Sequence, residues 1–407
     1  MLDRIAPPRM GRSFRWLLGA TWVSNIGDGI ALAAGPLLVA SQTNNAMLVA
    51  LGALLQRVPW LLLGLYAGAL ADRLDRRRMI MIADGLRAAV VGVLSIIIFT
   101  GTVNIAAVLV AMLLLGVAEV FVDTPSQTML PMVVQHDDLG IGNARLAGGF
   151  LVGNQIVGPP LGAFLFAFGM AAPFVTQAVL IALSVLLVAQ IATPKGPVRE
   201  LDDTHVLRDI AEGVRWLVHH DAVRTLALVI VAFNITFGAA WAVLVLYALD
   251  HLHMSEVGFG FLSTSAAVGG LLTTVMYGRI ERRFDLGDIM RVCLLLEVCA
   301  HLAFALTTSG YVAMVIMFVF GAYAFVWHAV SQTVRQRATP MELQGRVGSV
   351  YMVCVFGGIV VGEALGGWIA ENWGLTAPFW FAFVGSGITL ALVWRRLSAI
   401  AHTEPAV

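Results

Sequence analysis

Charged residues are scarce in this chain. Only 12% of its 407 residues are Asp, Glu, Lys or Arg, whereas 59% are hydrophobic and the mean hydropathy is +0.86. Soluble domains average about 25% charged and about 45–50% apolar residues, and one soluble core cannot hide so large an apolar excess. The composition therefore predicts a polytopic membrane protein and excludes an ordinary soluble domain.

The sequence also lacks the marks of several functional classes. Its formal net charge is zero, so it has no electrostatic excess to attract a nucleic acid. The three cysteines are odd in number and lie within apolar runs, at Cys293, Cys299 and Cys354, which is typical of small buried side chains rather than disulfides or metal ligands. No Walker A, HExxH or GxSxG motif is present. We therefore expect no enzyme activity, cofactor, metal or nucleic-acid partner.

Long hydrophobic runs take the place of these features. A helix needs about 20 apolar residues to cross a bilayer, and by that criterion we predict twelve transmembrane helices and an all-α fold. The runs cover residues 14–40, 47–71, 79–100, 104–123, 141–168, 172–192, 223–249, 256–280, 288–308, 311–334, 344–370 and 375–396. The first follows several arginines, as a signal peptide would, but it exceeds the ~7–15 apolar residues of such a peptide. We expect it to be a retained helix.

Basic residues are distributed asymmetrically between the loops. Alternate loops contain no Lys or Arg, namely 41–46, 101–103, 169–171, 250–255, 309–310 and 371–374. Arginines are instead concentrated in the other loops, above all at 73–78. Because basic loops stay in the cytoplasm, both ends of the chain are expected to be cytoplasmic. The protein itself is expected in the plasma membrane.

A polar stretch near the middle divides the runs into six and six. We predict a bundle over 1–192, a cytoplasmic linker over 193–222, and a second bundle with a short tail over 223–407. Within the linker, apolar residues at helical spacing predict a short amphipathic helix at the inner membrane surface: Val206, Ile210, Val214 and Leu217. We favour a plain connecting helix over a regulatory one.

The two halves repeat a glycine pattern. The glycines Gly153, Gly158 and Gly162 recur 204 positions later as Gly357, Gly362 and Gly366. Such glycines let helices approach closely, and Gly158 with Pro159 permits a bend. Duplicated six-helix halves are typical of transporters, with the substrate site expected between the halves near the membrane midplane.

The loop after the second run has a recognisable pattern. It reads GALADRLDRRR over 68–78 and contains, at the spacing G-x-x-x-D-R-x-x-R-R, the residues Gly68, Asp72, Arg73, Arg76 and Arg77. This resembles motif A of the major facilitator superfamily, except that Asp75 stands where the motif usually has glycine. The resemblance covers essentially the whole chain. It implies a secondary transporter built as two pseudo-symmetric six-helix bundles.

Two further stretches narrow the resemblance. The glycine–proline pattern in the fifth run resembles motif C of the drug–proton antiporters, with Gly153, Gly158, Pro159 and Gly162. The stretch TPSQTMLP over 124–131 is similar to the macrolide-efflux and enterobactin-exporter branch. Motif B, which places an arginine in the fourth helix, is missing, so proton coupling cannot use that arginine here.

The resemblance also implies a role for the arginine-rich loop. In the superfamily this loop locks against an acidic residue at the inner end of the fourth helix when the transporter faces outward, which here suggests a latch of Asp72 and Arg76 with Asp123. The alternative role, anchoring the topology, holds in either case.

Ionisable residues within the runs are the candidates for proton coupling. A charge at the bilayer centre costs about 2.5–3.5 kcal/mol on insertion scales, so each needs a partner or a water-filled cavity. Asp28 lies near the middle of the first run and Arg57 at similar depth in the second. Either Asp28 carries a proton, or the two form a static pair. Glu119 and Glu363 are further candidate carriers.

Other charged pairs within the runs are expected to be structural. Asp84 and Arg87 stand three residues apart, at the spacing of a local ion pair on a helix. Glu297 and His301 share one helix face and are expected to satisfy each other.

A candidate substrate cavity combines acidic, amide and aromatic side chains. Its predicted members are Asn25, Asp28, Glu119, Gln155, Asn234, Trp241 and Trp327. Such a lining suits an amphipathic or cationic organic molecule.

These observations favour a secondary-active exporter, a proton antiporter of hydrophobic or amphipathic compounds that works as a monomer. Its expected partners are a small-molecule substrate, protons and the lipid bilayer. An exporter of a siderophore or a lipid-like metabolite, or an uptake system, is the nearest alternative. A membrane receptor or scaffold is a third class, but a scaffold has no use for an acid at the bilayer centre.

Overall fold

The computed structural model describes residues 8–126, 128–192, 206–340 and 343–397. Throughout these ranges the chain forms helices joined by turns, and no strand occurs among them. The predicted all-α fold is confirmed.

Within the described ranges, twelve apolar helices follow one another. They are α1 (Gly11–Gln42), α2 (Ala46–Arg73), α3 (Arg76–Phe99), α4 (Ile105–Ser126), α5 (Leu139–Phe168), α6 (Ala172–Val188), α7 (Asp221–Trp241), α8 (Glu256–Arg283), α9 (Leu286–Leu306), α10 (Gly310–Ala338), α11 (Gln344–Trp373) and α12 (Ala377–Val393). A linker helix spans Val206–His219. Short helical turns occupy Pro8–Met10, Leu130–Val133, His136–Asp138, Leu244–Leu246 and Tyr247–His251.

Ten of these helices are long and apolar enough to cross a membrane. The other two, α6 and α12, have 17 residues each and are shorter than the runs that predicted them. The run at 172–192 overshoots because the apolar chain continues past the helix end, where Ile191 packs into a buried core. The run at 223–249 likewise crosses a break after Trp241 that hydrophobicity alone does not mark.

The chain divides into two compact units, each with most of one sequence half. Unit 1 comprises Met1–Asn44, Leu55–Glu200 and Met254–Thr264, and unit 2 comprises Asn45–Leu54, Leu201–His253 and Ser265–Val407. The main division falls within the predicted linker. The first residues of α2 therefore belong to unit 2, and the first residues of α8 belong to unit 1.

The same helix pairings recur in the two units. In unit 1, α1 packs against α5 and α6, while α3 packs against α4 and α6; in unit 2, α7 packs against α11 and α12, while α9 packs against α10 and α12. Equivalent glycines permit close approach of α5 to α1 and of α11 to α7. A Cβ at Gly162 would collide with the backbone of Ile30, and a Cβ at Gly366 with that of Ala239.

The linker helix packs on unit 2. Glu212 accepts a hydrogen bond from Arg346 of α11, with 2.7 Å between Oε2 and Nη1, and Gly213 lies directly against the Arg346 backbone. Leu217 is buried, whereas Val214 is exposed. The predicted helix is therefore present, and part of its apolar face contacts α11.

Helix α5 changes winding in its centre. Residues Phe150–Val157 are π-helical, and the Gly158 amide donates to the carbonyl of Gly153, five residues back. Pro159 has no amide hydrogen to offer the preceding turn, so the ordinary hydrogen-bond pattern cannot pass through it. The departure from α-helical winding thus lies in the turns before Pro159. Short π-helical segments within α-helices are frequent at functional sites.

Candidate functional site

A buried guanidinium on α3 is the centre of the charge cluster in unit 1. The Arg87 residue is only 1% exposed. Its Nη1 lies 2.9 Å from Asp84 Oδ1, one turn back on the same helix. Its Nη2 pairs with Asp28 Oδ1 of α1 and lies 3.6 Å from Glu119 Oε1 of α4. One arginine therefore connects carboxylates from three helices.

Close packing of α1 holds Asp28 in this position. The neighbouring Gly29 lies against the backbone of Gly153 and Asn154 in the π-helical part of α5, where any larger side chain would collide. Ser24, one turn earlier on α1, donates a hydrogen bond to Asp28 Oδ2 over 3.2 Å. Both oxygens of the Asp28 carboxylate therefore accept a hydrogen bond, Oδ1 from Arg87 and Oδ2 from Ser24.

Negative groups outnumber positive ones in the cluster. Asp28, Asp84 and Glu119 surround a single guanidinium, and Asp123 follows one turn later on α4. Arg57 of α2 contributes a second positive charge to the surroundings of Glu119. A low-dielectric interior does not tolerate unbalanced like charges, so such a group is stabilised when a proton or another cation binds to it. Cation binding is the chemistry that the arrangement supports.

The members differ in access to solvent. The Asp84 side chain is 2% exposed, whereas those of Asp28 and Glu119 are 25% and 34% exposed. Of the three carboxylates that contact Arg87, Asp28 and Glu119 are therefore partly accessible, while Asp84 is enclosed.

The suggested static pairing of Asp28 with Arg57 is wrong. The partner of Asp28 is Arg87, and Arg57 is exposed. The local pair of Asp84 and Arg87 is confirmed, but it is part of a larger cluster. Sequence spacing showed only the contact within one helix, because the contacts with α1 and α4 arise when those helices pack against α3.

The arginine-rich loop is only partly described. The Nε of Arg76 donates to the Ala71 carbonyl over 3.1 Å, and Arg77 donates to the carbonyl of Ala189 just after α6. The side chains of Asp72 and Arg73 lie outside the described residues. The latch with Asp123 thus stays a prediction, and so does any part that Gly68 has in it.

The predicted cavity residues fall into two groups. In unit 1, Asp28 and Glu119 meet at Arg87, whereas Asn25 donates to the Thr21 carbonyl over 2.8 Å and Gln155 to Asn154 Oδ1 over 2.5 Å. The sequence pattern assigned Arg87 only to Asp84 and did not reveal its contacts with Asp28 and Glu119, although a charge inside an apolar run was a usable signal.

In unit 2, Asn234 and Trp327 line a cavity of about 200 Å³ that also includes Glu297. Trp241 stacks on Phe237 beside it, with 4.5 Å between ring centroids. Glu297 was expected only to satisfy a histidine, so its place on a cavity wall was missed.

Glu363, the remaining predicted carrier, is buried in α11. Its backbone amide lies near Gly238, one of the places where α7 and α11 pack closely.

Long apolar helices that bury a charge cluster define an integral membrane protein built for transport. The family model described as transmembrane secretion effector matches residues 4–404. The chain belongs to this family of the major facilitator superfamily, whose members are transporters and not enzymes.

Full-length relatives include exporters. The multidrug efflux pump Tap of Mycolicibacterium fortuitum is 29% identical over 89% of this chain and 90% of its own length. Tap of Mycobacterium tuberculosis H37Rv is 26% identical over 95% and 94%. The enterobactin exporter EntS of Escherichia coli O1:K1 is 25% identical over 97% and 95%.

Solved transporter structures share the fold. A bacterial homologue of the iron transporter ferroportin in an inward-facing state superposes with a TM-score of 0.77 at 16% identity, covering 95% of this chain and 99% of that one. The nucleoside transporter NupG gives 0.69 at 13% identity, covering 97% and 100%. At such identities the likeness concerns the fold alone.

Proposed function

We propose that this protein exports hydrophobic or amphipathic organic compounds in exchange for protons. The observation that carries the proposal is the excess of carboxylates around Arg87, which provides a place for a proton inside the membrane. The full-length similarity to the efflux pump Tap supports export as the direction of transport.

Asp28 is the proposed proton carrier, with Glu119 as its neighbour and second site. When Asp28 is ionised, it pairs with Arg87 and ties α1 to α3. When it is protonated, this attraction is lost and Arg87 turns to Asp84 and Glu119. A carboxylate that changes its partner with protonation can favour one of two conformations in each state, as alternating access requires.

The proposed architecture is twelve membrane crossings in two six-helix bundles, 1–192 and 223–407, joined by the linker 193–222, with both ends in the cytoplasm. It acts as a monomer. The loop that contains Gly68, Asp72, Arg73, Arg76 and Arg77 would close against Asp123 as the inner latch. Glu363 is the proposed second carrier, in the half that lacks the Arg87 cluster.

Transport by the full chain in proteoliposomes with an imposed pH gradient tests the coupling. The variant Asp28→Asn should abolish gradient-driven flux while it keeps substrate exchange without a gradient, since the site then cannot change its charge. Asp221→Asn, an exposed carboxylate that pairs with Arg224 at the start of α7, is the matched control and should transport normally. Gradient-driven flux that survives Asp28→Asn would remove Asp28 from the mechanism, and flux indifferent to any proton gradient would refute antiport.

Export of a siderophore is a second candidate, favoured by the similarity to EntS over 97% of the chain. Competition between a catecholate siderophore and hydrophobic drugs in the same proteoliposomes distinguishes the two. Inhibition by the siderophore alone would favour this candidate.

A further inference from the structure

Unit 2 contains a cavity that the proton mechanism does not use. It has a volume of about 200 Å³ and lies among α7, α9 and α10. Aromatic rings form much of its wall, contributed by Phe233, Phe237, Phe320, Tyr323 and Trp327. Phe237 and Phe320 stack with 5.7 Å between ring centroids, and Tyr323 meets Phe320 edge-on at 5.4 Å. These rings present π faces and edges that are already fixed by packing.

One carboxyl group lies in this aromatic wall. The Glu297 side chain is 11% exposed, and its Oε1 lies 3.0 Å from Nε2 of His301. Among the described residues, no Lys or Arg forms a salt bridge with Glu297. His301 is therefore the only basic group that the described chain provides at this carboxylate.

His301 makes one hydrogen-bond contact with Glu297, through Nε2. Its Nδ1 is buried and has no hydrogen-bond partner in the described chain. A protonated ring would need an acceptor there, whereas a neutral ring that donates from Nε2 to Glu297 leaves only an unused lone pair. The negative charge of Glu297 is thus not neutralised by the part of the chain that the structure describes.

A second polar group at the cavity is incomplete. The side-chain nitrogen of Asn234 is buried and has no hydrogen-bond partner among the described residues. An unused buried donor destabilises the site, and a ligand oxygen that accepts its hydrogen bond would remove this cost.

In the internal repeat, the residues that line this cavity correspond to those of the Arg87 cluster. Helices α3 and α9 both begin directly after an aspartate, Asp75 and Asp285. The twelfth residue after each aspartate is Arg87 in α3 and Glu297 in α9. Unit 2 therefore has a carboxylate at the position where unit 1 has its guanidinium.

The other members of the cluster are replaced as well. Gly116 and Gly321 make equivalent backbone contacts in α4 and α10, and the third residue after each is Glu119 or Ala324. Gly162 contacts Ile30 of α1, and Gly366 contacts Ala239 of α7. The residue two positions before this contact is Asp28 in α1 and Phe237 in α7. Phe237, Ala324 and Glu297 all line the cavity. At these equivalent positions unit 1 has ion pairs, whereas unit 2 has a cavity.

We propose that this cavity binds the ammonium end of a transported organic cation, with Glu297 as the counter-ion. The proposal rests on the proposed export function and names one substrate class for it. Aromatic faces around a quaternary ammonium attract its charge, and most strongly when the site is desolvated. Sites for drug-sized molecules measure about 300–1,000 Å³, so a cavity of this size holds the charged head of a larger compound. Asn234 meets a ligand oxygen near that head.

Binding of choline to the full chain in nanodiscs tests the site. The lipids are phosphatidylethanolamine and phosphatidylglycerol, so that no lipid head group contains choline. Radiolabelled choline should bind, and 3,3-dimethylbutan-1-ol, in which carbon replaces the nitrogen, should compete at least about tenfold less well. Glu297→Gln should weaken choline binding by a similar factor, and Trp327→Leu by several-fold.

Two further variants separate the charge from a structural effect. Glu297→Asp keeps the carboxylate and should retain more affinity than Glu297→Gln. Asp288→Asn removes another carboxylate of α9, which pairs with Arg291 and is 61% exposed, and should leave binding unchanged. Equal choline binding by Glu297→Gln and the unaltered chain would overturn the proposal. Equally effective competition by the neutral alcohol, or no choline binding at all, would do the same.

Flux of an uncharged hydrophobic compound keeps this result distinct from the general function. If Glu297→Gln loses choline binding but still drives that flux, both proposals stand. If choline binding does not depend on Glu297 while the flux continues, the cation site is wrong and the exporter stands. If the unaltered chain drives no flux of any compound, the exporter is wrong, and the site stands or falls on the binding result.

Discussion

The two units use one packing scheme for opposite electrostatic purposes. In unit 1, α1, α3 and α4 meet at Arg87, which the chain itself surrounds with carboxylates. In unit 2, the equivalent helices α7, α9 and α10 meet at Glu297, which contacts one histidine and lines an aromatic cavity. Helix packing and site chemistry can therefore diverge separately after a duplication, because small residues determine the first and a few polar side chains determine the second.

The largest difference should appear when each central charge is removed. Arg87→Leu leaves three carboxylates without their shared cation, and breaking a buried ion pair in this way costs about 3–5 kcal/mol. We expect little folded protein or a strongly lowered Tm, measured by thermal unfolding in detergent. Arg224→Leu removes an arginine from a pair at the surface and should cost about 1 kcal/mol at most. Equal melting of the two variants would show that the Arg87 cluster does not hold unit 1 together.

Shared packing should give equal losses in the two units. Gly162→Ala and Gly366→Ala each place a Cβ against a backbone carbonyl, at Ile30 and Ala239, and should each cost about 1–3 kcal/mol of stability. Gly92 of α3 has no such neighbour, so Gly92→Ala should be neutral or slightly stabilising. Thermal unfolding of the three variants checks this. A loss confined to one of the first two variants would break the equivalence of the repeats.

Removing the charge of Glu297 in unit 2 should raise the stability, whereas removing that of Arg87 in unit 1 should lower it. Glu297→Gln keeps the shape of the side chain and removes a buried charge that no cation of the described chain neutralises. We expect the stability to rise by about 1 kcal/mol, as is common when a functional group is removed. The measurement is Tm without any organic cation. A loss of several degrees would mean that Glu297 has a structural role and that the contrast with Arg87 is false.

The smallest effects concern the first residues of α2, which belong to unit 2, and the first residues of α8, which belong to unit 1. Glu371 of unit 2 accepts hydrogen bonds from Asn45 and from the Ala46 amide at the start of α2, both over 2.9 Å. Glu371→Gln should cost about 0.3–1 kcal/mol, and high salt should reduce that cost, because a charge at a helix N-terminus is screened. In unit 1, Thr264 donates to the Ile156 carbonyl over 3.0 Å without any charge.

Thermal unfolding at low and high salt separates these two contacts. Thr264→Val should show the same small loss at both salt concentrations. If the loss from Glu371→Gln is also independent of salt, the carboxylate acts only as a hydrogen-bond acceptor.

Much of the fold could be predicted because the bilayer imposes simple requirements. Apolar runs of sufficient length indicated the helices of the described chain, ten of them long enough to cross a membrane, but overestimated α6, α7 and α12, whose ends are determined by turns and packing. The glycines of α5 and α11 identified the repeat. The winding of Phe150–Val157 could not be predicted, since it depends on how the chain before Pro159 redistributes its hydrogen bonds.

The site was predicted less completely than the fold. Asp28 and Glu119 were proposed because an acid in an apolar run is costly, and their role in the site stays a prediction. Arg87 was assigned to a local pair and Glu297 to a histidine, since spacing along one helix reveals only neighbours on that helix. The partners on α1, α4, α7 and α10 are distant in sequence.

The amino-acid sequence by itself determined that this protein is helical, lies in a membrane and repeats its own plan, because hydrophobicity, basic loops and glycine spacing act locally along the chain. Only the tertiary structure decided which charges pair with each other and which carboxylate lies on a cavity wall. That decision depends on side chains from different helices coming within a few ångströms, and ion pairing in a low-dielectric interior depends on that distance above all.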